Sequence, residues 1–409
     1  MAVGLTAPGR LEPISGIEMA ISSSGIKGNS APDLLLISLC EGSSVAGVFT
    51  KNRYCAAPVL IARERLAHSK IRALLINSGN ANAGTGIQGD ATARQLCQIA
   101  ASKLGVSGDQ VMPFSTGVIG QQLPADLISD AIMSMPVLKE DHWLEASQAI
   151  MTTDTLPKAK SASVVVDGIA VTISGIAKGS GMIHPNMATM LSYIATDARV
   201  EQEALQRAVA VIADNTFNCI TVDGDTSTND SYICIASGKA DNQVLDEQHR
   251  DWPAFVEALE GVARFLAHAI VRDGEGATRF IGIKVVDGAH RDDCREVGFT
   301  VAHSPLVKTA FFAGDPNLGR ILAAIGRSRI DDLDMDKVSM SLGSQQNGTL
   351  PVVENGEPSM QYNEARAAEI MAAEDIEVEI SLGMGSESAT VWTTDLSYDY
   401  VRINAEYRS

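Results

Sequence analysis

The chain has 409 residues, 45% apolar and 20% charged, with a formal charge of −18. That length exceeds what one hydrophobic core usually organises, so two or three domains, or one elaborated layered unit, are expected. The negative field argues against nucleic-acid backbones and anionic membranes as main partners, no apolar run reaches the ~20 residues of a membrane-spanning helix, and the opening residues lack a secretory signal. A soluble, cytoplasmic protein is expected.

In chain order, strand-like runs lie at Leu34–Leu39, Val45–Thr50 and Ala73–Ile76, rich in β-branched and apolar residues. Helical periodicity follows from Asp90 to Leu104, where Ala93, Leu96, Cys97, Ala100 and Leu104 share a face and Asp90 is the expected N-cap. Ser163–Val166 and Ile169–Ile173 flank Asp167-Gly168, a two-residue hairpin signal. Further strands are expected at Met190–Thr196, Ser231–Ala236, Ile281–Val286, Ile376–Leu382 and Thr390–Thr394, and further helices at Glu201–Asp214, Ala254–Ile270 and Asn363–Ala373. Hairpins and helices alternate without a regular βαβ rhythm, which predicts sheets stacked in a sandwich and covered by helices. The six cysteines (Cys40, Cys55, Cys97, Cys219, Cys234 and Cys294) form no C-x-x-C pair and stand near no histidine at zinc spacing. They read as reduced, mostly buried thiols.

The most unusual stretch runs from Ala177 through Gly179, Gly181 and Pro185 to Ala188, Thr189 and Leu191. Glycines and a proline force a loop, and a strand is expected from Thr189 onward. A threonine hydroxyl is a poor nucleophile that needs a base within reach. If the peptide bond between Ala188 and Thr189 breaks, the new α-amino group, with a reference pKa of roughly 7.7 to 8.0, is that base. Read alone, Thr189 is more simply the first residue of a strand.

The run KGSGMIHPNMATML (Lys178 to Leu191) resembles the self-cleavage and active-site segment of the glutamate N-acetyltransferase family, the ornithine acetyltransferases of arginine biosynthesis. GVFTKN (Gly47 to Asn52), NSGNANAGTG (Asn77 to Gly86), FSTGVIG (Phe114 to Gly120), IMTTDT (Ile150 to Thr155), TVDGDTSTND (Thr221 to Asp230), RDGEGATRF (Arg272 to Phe280) and GDPNLGR (Gly314 to Arg320) resemble the same family. The resemblance spans nearly the whole chain.

It implies a four-layer α-β-β-α sandwich with a smaller C-terminal lobe, and a cut that leaves an alpha fragment, 1–188, and a beta fragment, 189–409. It implies acetyl transfer from N-acetylornithine to glutamate through an acetylated Thr189. The oxyanion falls to the Thr116 hydroxyl and the Gly117 N–H, and substrate contacts to Thr152, Lys178, Thr189, Glu275, Asn404 and Ser409. Lys178 then neutralises a substrate carboxylate, and Glu275 receives a cationic amine or orients the catalytic amine. No metal or cofactor is implied. Acetyl-CoA stays open as a second donor, and two copies of each fragment are expected to assemble. Leu318 and Ser409 depart from the family's usual residues, an aromatic and a threonine; a change in packing is expected at Leu318.

Other readings compete. Gly84, Gly86 and Gly89 satisfy G-x-G-x-x-G, the phosphate-binding turn of dinucleotide enzymes. With the strand taken to end at Ile76, the intervening Asn77 to Ala83 make the turn too long, and Asp109 lies in a loop-like segment. A structural glycine turn is expected instead. A self-processing aminopeptidase or amidohydrolase would use the same nucleophile with water as acceptor, and a metabolite-binding protein would keep the chain uncut. His184 as a metal ligand finds no partner at ligand spacing.

Overall fold

A computed structural model describes residues 2–184 and 190–406. The chain divides into a larger unit, Ala7–Asn218 with Asp225–Ile270, and a smaller one, Met1–Thr6, Cys219–Gly224 and Val271–Ser409.

The larger unit contains β1 (Ile17–Ser22), β2 (Leu34–Leu39), β3 (Ser44–Phe49), α1 (Ala57–His68), β4 (Ala73–Asn80), α2 (Gly86–Leu104), β5 (Val111–Val118), α3 (Ala125–Ser134) and α4 (Trp143–Ala149). It continues with β6 (Lys158–Val166), β7 (Ile169–Lys178), β8 (Leu191–Thr196), α5 (Gln202–Asn215), β9 (Ser231–Ala236) and α6 (Trp252–Arg272). One sheet has the order β1-β2-β4-β5 and the other β3-β9-β8-β7-β6. Strand alternation gives each sheet two apolar faces. Leu35, Ile37, Leu74, Ile76, Met112 and Phe114 from the first meet Val45, Ile176, Leu191, Tyr193 and Ile233 from the second in one core. Phe114 and Tyr193 make an edge-to-face pair across it, with ring centroids 5.3 Å apart. The other face of the first sheet packs Leu34, Leu36 and Val111 on α2 and α3 through Leu96, Cys97, Ile128 and Ile132. On the second sheet α6 comes so close that a Cβ at Gly175 would lie 3.1 Å from Leu266 and Val262. The layers are therefore helix, sheet, sheet, helix, as expected.

Edge strand β3 is covered by side chains rather than by another strand. The Gln202 amide exchanges hydrogen bonds with Val45 N–H (3.0 Å) and C=O (2.7 Å), and Gln206 does the same with Gly47 (3.1 Å each). Two glutamines one turn apart on α5 thus occupy part of the ladder that an exposed edge would offer to another chain.

The smaller unit contains β10 (Phe280–Gly288), α7 (Arg291–Ala302), α8 (Pro305–Ala313), α9 (Leu318–Gly326), β11 (Ser339–Ser344), β12 (Gly348–Glu354), β13 (Glu357–Pro358), α10 (Glu364–Met371), β14 (Asp375–Ser381), β15 (Glu387–Thr394) and α11 (Tyr398–Ala405). Its sheet has the order β13-β12-β11-β14-β10-β15. Ile281, Ile283, Val378 and Ile380 form a core with Val297, Val301, Phe311, Ile321 and Ile370 from the helices, and Leu318 packs against it.

Several local expectations change. α2 begins at Gly86 with Thr85 as N-cap, so Asp90 is not the cap; it lies inside the first turns and pairs with Arg94 at 2.9 Å. The glycines hid the start of that helix, because Gly is the poorest helix former after Pro. β4 runs on to Asn80, so only Ala81, Asn82 and Ala83 precede Gly84, and β4-α2-β5 is one parallel crossover. The Asp167-Gly168 hairpin forms as read, with φ of 52° and 77° and Val166 paired to Ile169.

Candidate active site

In the larger unit the site residues gather at strand ends. Thr116 and Gly117 close β5 rather than sit in a turn, opposite Ser78 and Gly79 of β4 with a bulge at Asn80. Gly117 has φ 130°, and a Cβ there would lie 2.3 Å from Gly79 C and 2.5 Å from Asn80 N, so only glycine fits. A hydrogen-bond network fixes this corner. Ser115 Oγ donates to Asn77 Oδ1 (2.6 Å), Asn77 Nδ2 to Asn80 O (2.9 Å), and Ser78 Oγ to Ala149 O (2.6 Å). Asn229, just before β9, donates to Ala81 O (2.6 Å) and Ser115 O (2.8 Å), joining the ends of the two sheets. These buried polar groups are satisfied by one another, which makes the corner rigid.

Lys178 ends β7, is 7% exposed, and pairs across the ladder with Leu191, the first residue of β8. Beside it lies Asp154, which the sequence reading passed over. Asp154 accepts from Lys158 Nζ (2.6 Å), Gly179 N–H (2.7 Å) and Thr152 N–H (3.0 Å), so one carboxylate ties the Thr152 turn to the end of β7. Burial pushes the Asp154 carboxyl up, but the ammonium groups of Lys158 and Lys178, with those hydrogen bonds, outweigh it and hold the group well below the carboxylate range. Its pairing with Lys158, both side chains fully buried, carries a large desolvation cost that close geometry must offset.

In the smaller unit Glu275, 7% exposed, follows α6 and accepts from Asn404 Nδ2 of α11 at 2.7 Å. Gly276, φ 70°, leaves room beneath α11: a Cβ there would lie 2.5 Å from Tyr400 N. Ser397 caps α11 and donates to Gly276 O at 2.6 Å. Nearby, Lys308 donates to Thr393 Oγ1 (3.1 Å) and to Thr394 O, and burial pushes its ammonium down to about 8. The expected site residues thus fall into Thr116, Gly117, Thr152 and Lys178 in one unit and Glu275 and Asn404 in the other. Ala188, Thr189 and Ser409 lie outside the described residues.

The competing sites close on their own chemistry. In the glycine-rich turn Thr85 Oγ1 donates to Asn82 Oδ1 (2.7 Å), Asn82 Nδ2 to Gly89 O (3.0 Å), and the Tyr54 hydroxyl lies over Gly84. Side chains fill the space a pyrophosphate would need. Among the described residues one cluster has metal-ligand spacing, Asp167, His249 and Asp251. There His249 Nδ1 accepts the Asp251 N–H (3.1 Å), which puts the imidazole proton on Nε2, 3.3 Å from Asp167 Oδ1. A donor N–H aimed at the carboxylate is a turn clasp, not a ligand pair. None of the six thiols is in a disulfide; burial raises Cys97 to about 11 and Cys234 to about 12, which disarms these two as nucleophiles.

A family model described as the ArgJ family matches residues 18–409. The arginine biosynthesis bifunctional protein ArgJ of Pseudomonas syringae pv. tomato is 48% identical over 411 residues, covering all of both chains. That of Methylococcus capsulatus is 51% identical over 401 residues, 98% of this chain and 97% of its own. Among solved structures, the arginine biosynthesis bifunctional protein argJ of Bacillus halodurans matches with TM-score 0.50 and 39% identity, covering 54% of this chain and 100% of its own.

Proposed function

The chain belongs to the ArgJ family, and on that premise we propose that this acyltransferase cuts itself before Thr189 and moves acetyl from N-acetyl-L-ornithine to L-glutamate in arginine biosynthesis. The observation that carries the reading is the pairing of Lys178 with Leu191. The strands on either side of the segment bearing the proposed cut are neighbours in the sheet, and β8 begins at Leu191, two residues after 189 in the chain and opposite the buried Lys178. The Bacillus halodurans match adds support: its whole chain covers 54% of this one, the fraction that 189–409 makes up.

In self-cleavage Thr189 Oγ attacks the Ala188 carbonyl, the acyl group passes to oxygen as the peptide nitrogen takes a proton and leaves as the free α-amine, and water then hydrolyses the ester to release the Ala188 carboxylate and restore the Thr189 hydroxyl. In transfer, Thr189 Oγ attacks the acetyl carbonyl while its α-amine takes the proton. The Thr116 hydroxyl and Gly117 N–H hold the oxyanion, and ornithine leaves with the proton. The glutamate amine then attacks the acetyl ester and restores Thr189. Substrate contacts are assigned to Thr152, Lys178, Glu275, Asn404 and Ser409, with Lys178 neutralising a carboxylate and Glu275 receiving a cationic amine or orienting the catalytic amine. The fragments 1–188 and 189–409 are the functional division, two of each assembling in the cytoplasm without cofactor. Because the relatives' names call them bifunctional, we extend the proposal to acetyl-CoA as a second donor.

The test is acetyl transfer from labelled N-acetylornithine. Labelled N-acetylglutamate in step with released ornithine is expected; free acetate without transfer would favour a hydrolase. Thr116→Ala should slow transfer roughly 100-fold, and a near-normal rate contradicts the oxyanion assignment.

A further inference from the structure

Lys27 lies on a strap between β1 and β2 that is built to hold it in place. Fully buried Asp33 accepts Ser24 N–H at 2.5 Å and Ile26 N–H at 2.9 Å, Gly28 N–H closes a turn on Gly25 O at 3.0 Å, and Ser78 N–H donates to Asp33 O at 2.9 Å, tying the base of the strap to β4. The strap lies on the glycine corner. Gly79, φ 102°, is the partner of Gly117 in the β4–β5 ladder, and a Cβ there would meet Ile26 Cγ2 at 2.9 Å and Lys27 Cγ at 3.2 Å. The lysine stem therefore lies against the end of β4, next to the end of β5 that carries the proposed oxyanion donors.

At the tip, the ammonium makes one hydrogen bond, to Pro32 O at 3.0 Å. No carboxylate pairs with it among the described residues. Its charged neighbours are Asp33, Asp154 and Lys178, and burial together with the Lys178 charge weighs against its protonated form. Asp154 is engaged by Lys158, Gly179 and Thr152, and Asp33 by the strap itself. A half-buried ammonium beside a second lysine, with donors to spare, fits an anionic ligand.

We propose that Lys27 is a specificity-determining residue for the acceptor, holding the second carboxylate of a dicarboxylic amino acid where Lys178 serves the carboxylate common to donor and acceptor. This rests on the reading of the site as an N-acetylornithine–glutamate acetyltransferase. The donor carries one carboxylate and a side-chain ammonium, so it gains little from a second cation. Glutamate gains an ion pair with the ammonium, whereas the neutral amide of glutamine can only accept a weaker hydrogen bond from it.

The experiment measures both half-reactions in wild type, Lys27→Met and Lys27→Arg, with ornithine release reporting the donor step and N-acetylated product the acceptor step. Lys27→Met should raise the KM for glutamate about tenfold or more, the KM for N-acetylornithine less than threefold, and should narrow the preference for glutamate over glutamine. Lys27→Arg should recover most of the glutamate KM, which a merely structural role would not predict. Equal effects on both substrates, or an unchanged glutamate KM, overturn the inference while leaving the transfer reaction standing. A wild-type enzyme that releases ornithine without acetylating glutamate overturns both.

Discussion

Asp154 is the residue on which most of the larger unit's site depends, and it could not be singled out from the chain. Aspartate and lysine four apart read as a solvated pair, and only the fold shows both buried with two backbone N–H groups turned onto the carboxylate. Asp154→Asn keeps the shape and removes the charge, leaving the Lys158 ammonium buried without its carboxylate. We expect a loss of about 3–5 kcal/mol at pH 7, read by chemical denaturation, with part recovered when Lys158→Met is added. The pH dependence has a definite sign. The folded carboxyl is held below its unfolded value of roughly 3.9, so the pair stabilises the fold above about pH 4, and the gain is lost as pH falls toward the depressed folded value. The gap between wild type and variant should therefore close in acid. Equal stability at neutral pH contradicts this account.

At the scale of elements, the sheets were legible where strands alternate or run apolar. The runs at Leu34–Leu39, Ser231–Ala236 and Ile376–Leu382 emerge nearly as read. Glu201 and Asn363, where two helices were read to begin, are N-caps that accept Ala204 N–H and Arg366 N–H. What was missed has a common cause. β5 carries Pro113 and Gly117, which speak against a strand, and α1 buries Arg65 among its apolar residues, which blurs the stripe. In both, tertiary contacts override local preference. The same override governs Gly276, whose positive φ and close approach to Tyr400 N and Ser397 Oγ let α11 sit where Asn404 reaches Glu275. Gly276→Ala should displace α11 and separate that pair, at a cost of about 1–3 kcal/mol and with at least a tenfold rise in the KM for N-acetylornithine. An unchanged KM in a folded variant would show that the Glu275–Asn404 contact does not serve the substrate.

On the scale of the whole molecule, long motifs made the family legible, while the way the two proposed fragments interlock was not. In the sheet ordered β3-β9-β8-β7-β6, the strands β3, β7 and β6 come from residues 1–188 and β9 and β8 from residues 189–409. The proposed cut lies between β7 and β8, which stay paired from Ile173–Thr196 to Lys178–Leu191, with Tyr193 buried against Phe114 on the neighbouring sheet. Breaking one peptide bond there leaves every ladder and the shared core intact, so the fragments remain one folded body. This interleaving gives self-cleavage a readable signature: one species under native conditions and two when the fold is lost. The measurement that tests the central claim most directly is the intact mass of the purified protein, native and denatured, beside Thr189→Ala. The account predicts one native species that separates on denaturation into residues 1–188 and 189–409, and an uncut, inactive variant. A wild type that is active yet remains a single chain of 409 residues after denaturation would contradict it, because no free α-amine would then exist at Thr189 to act as the base.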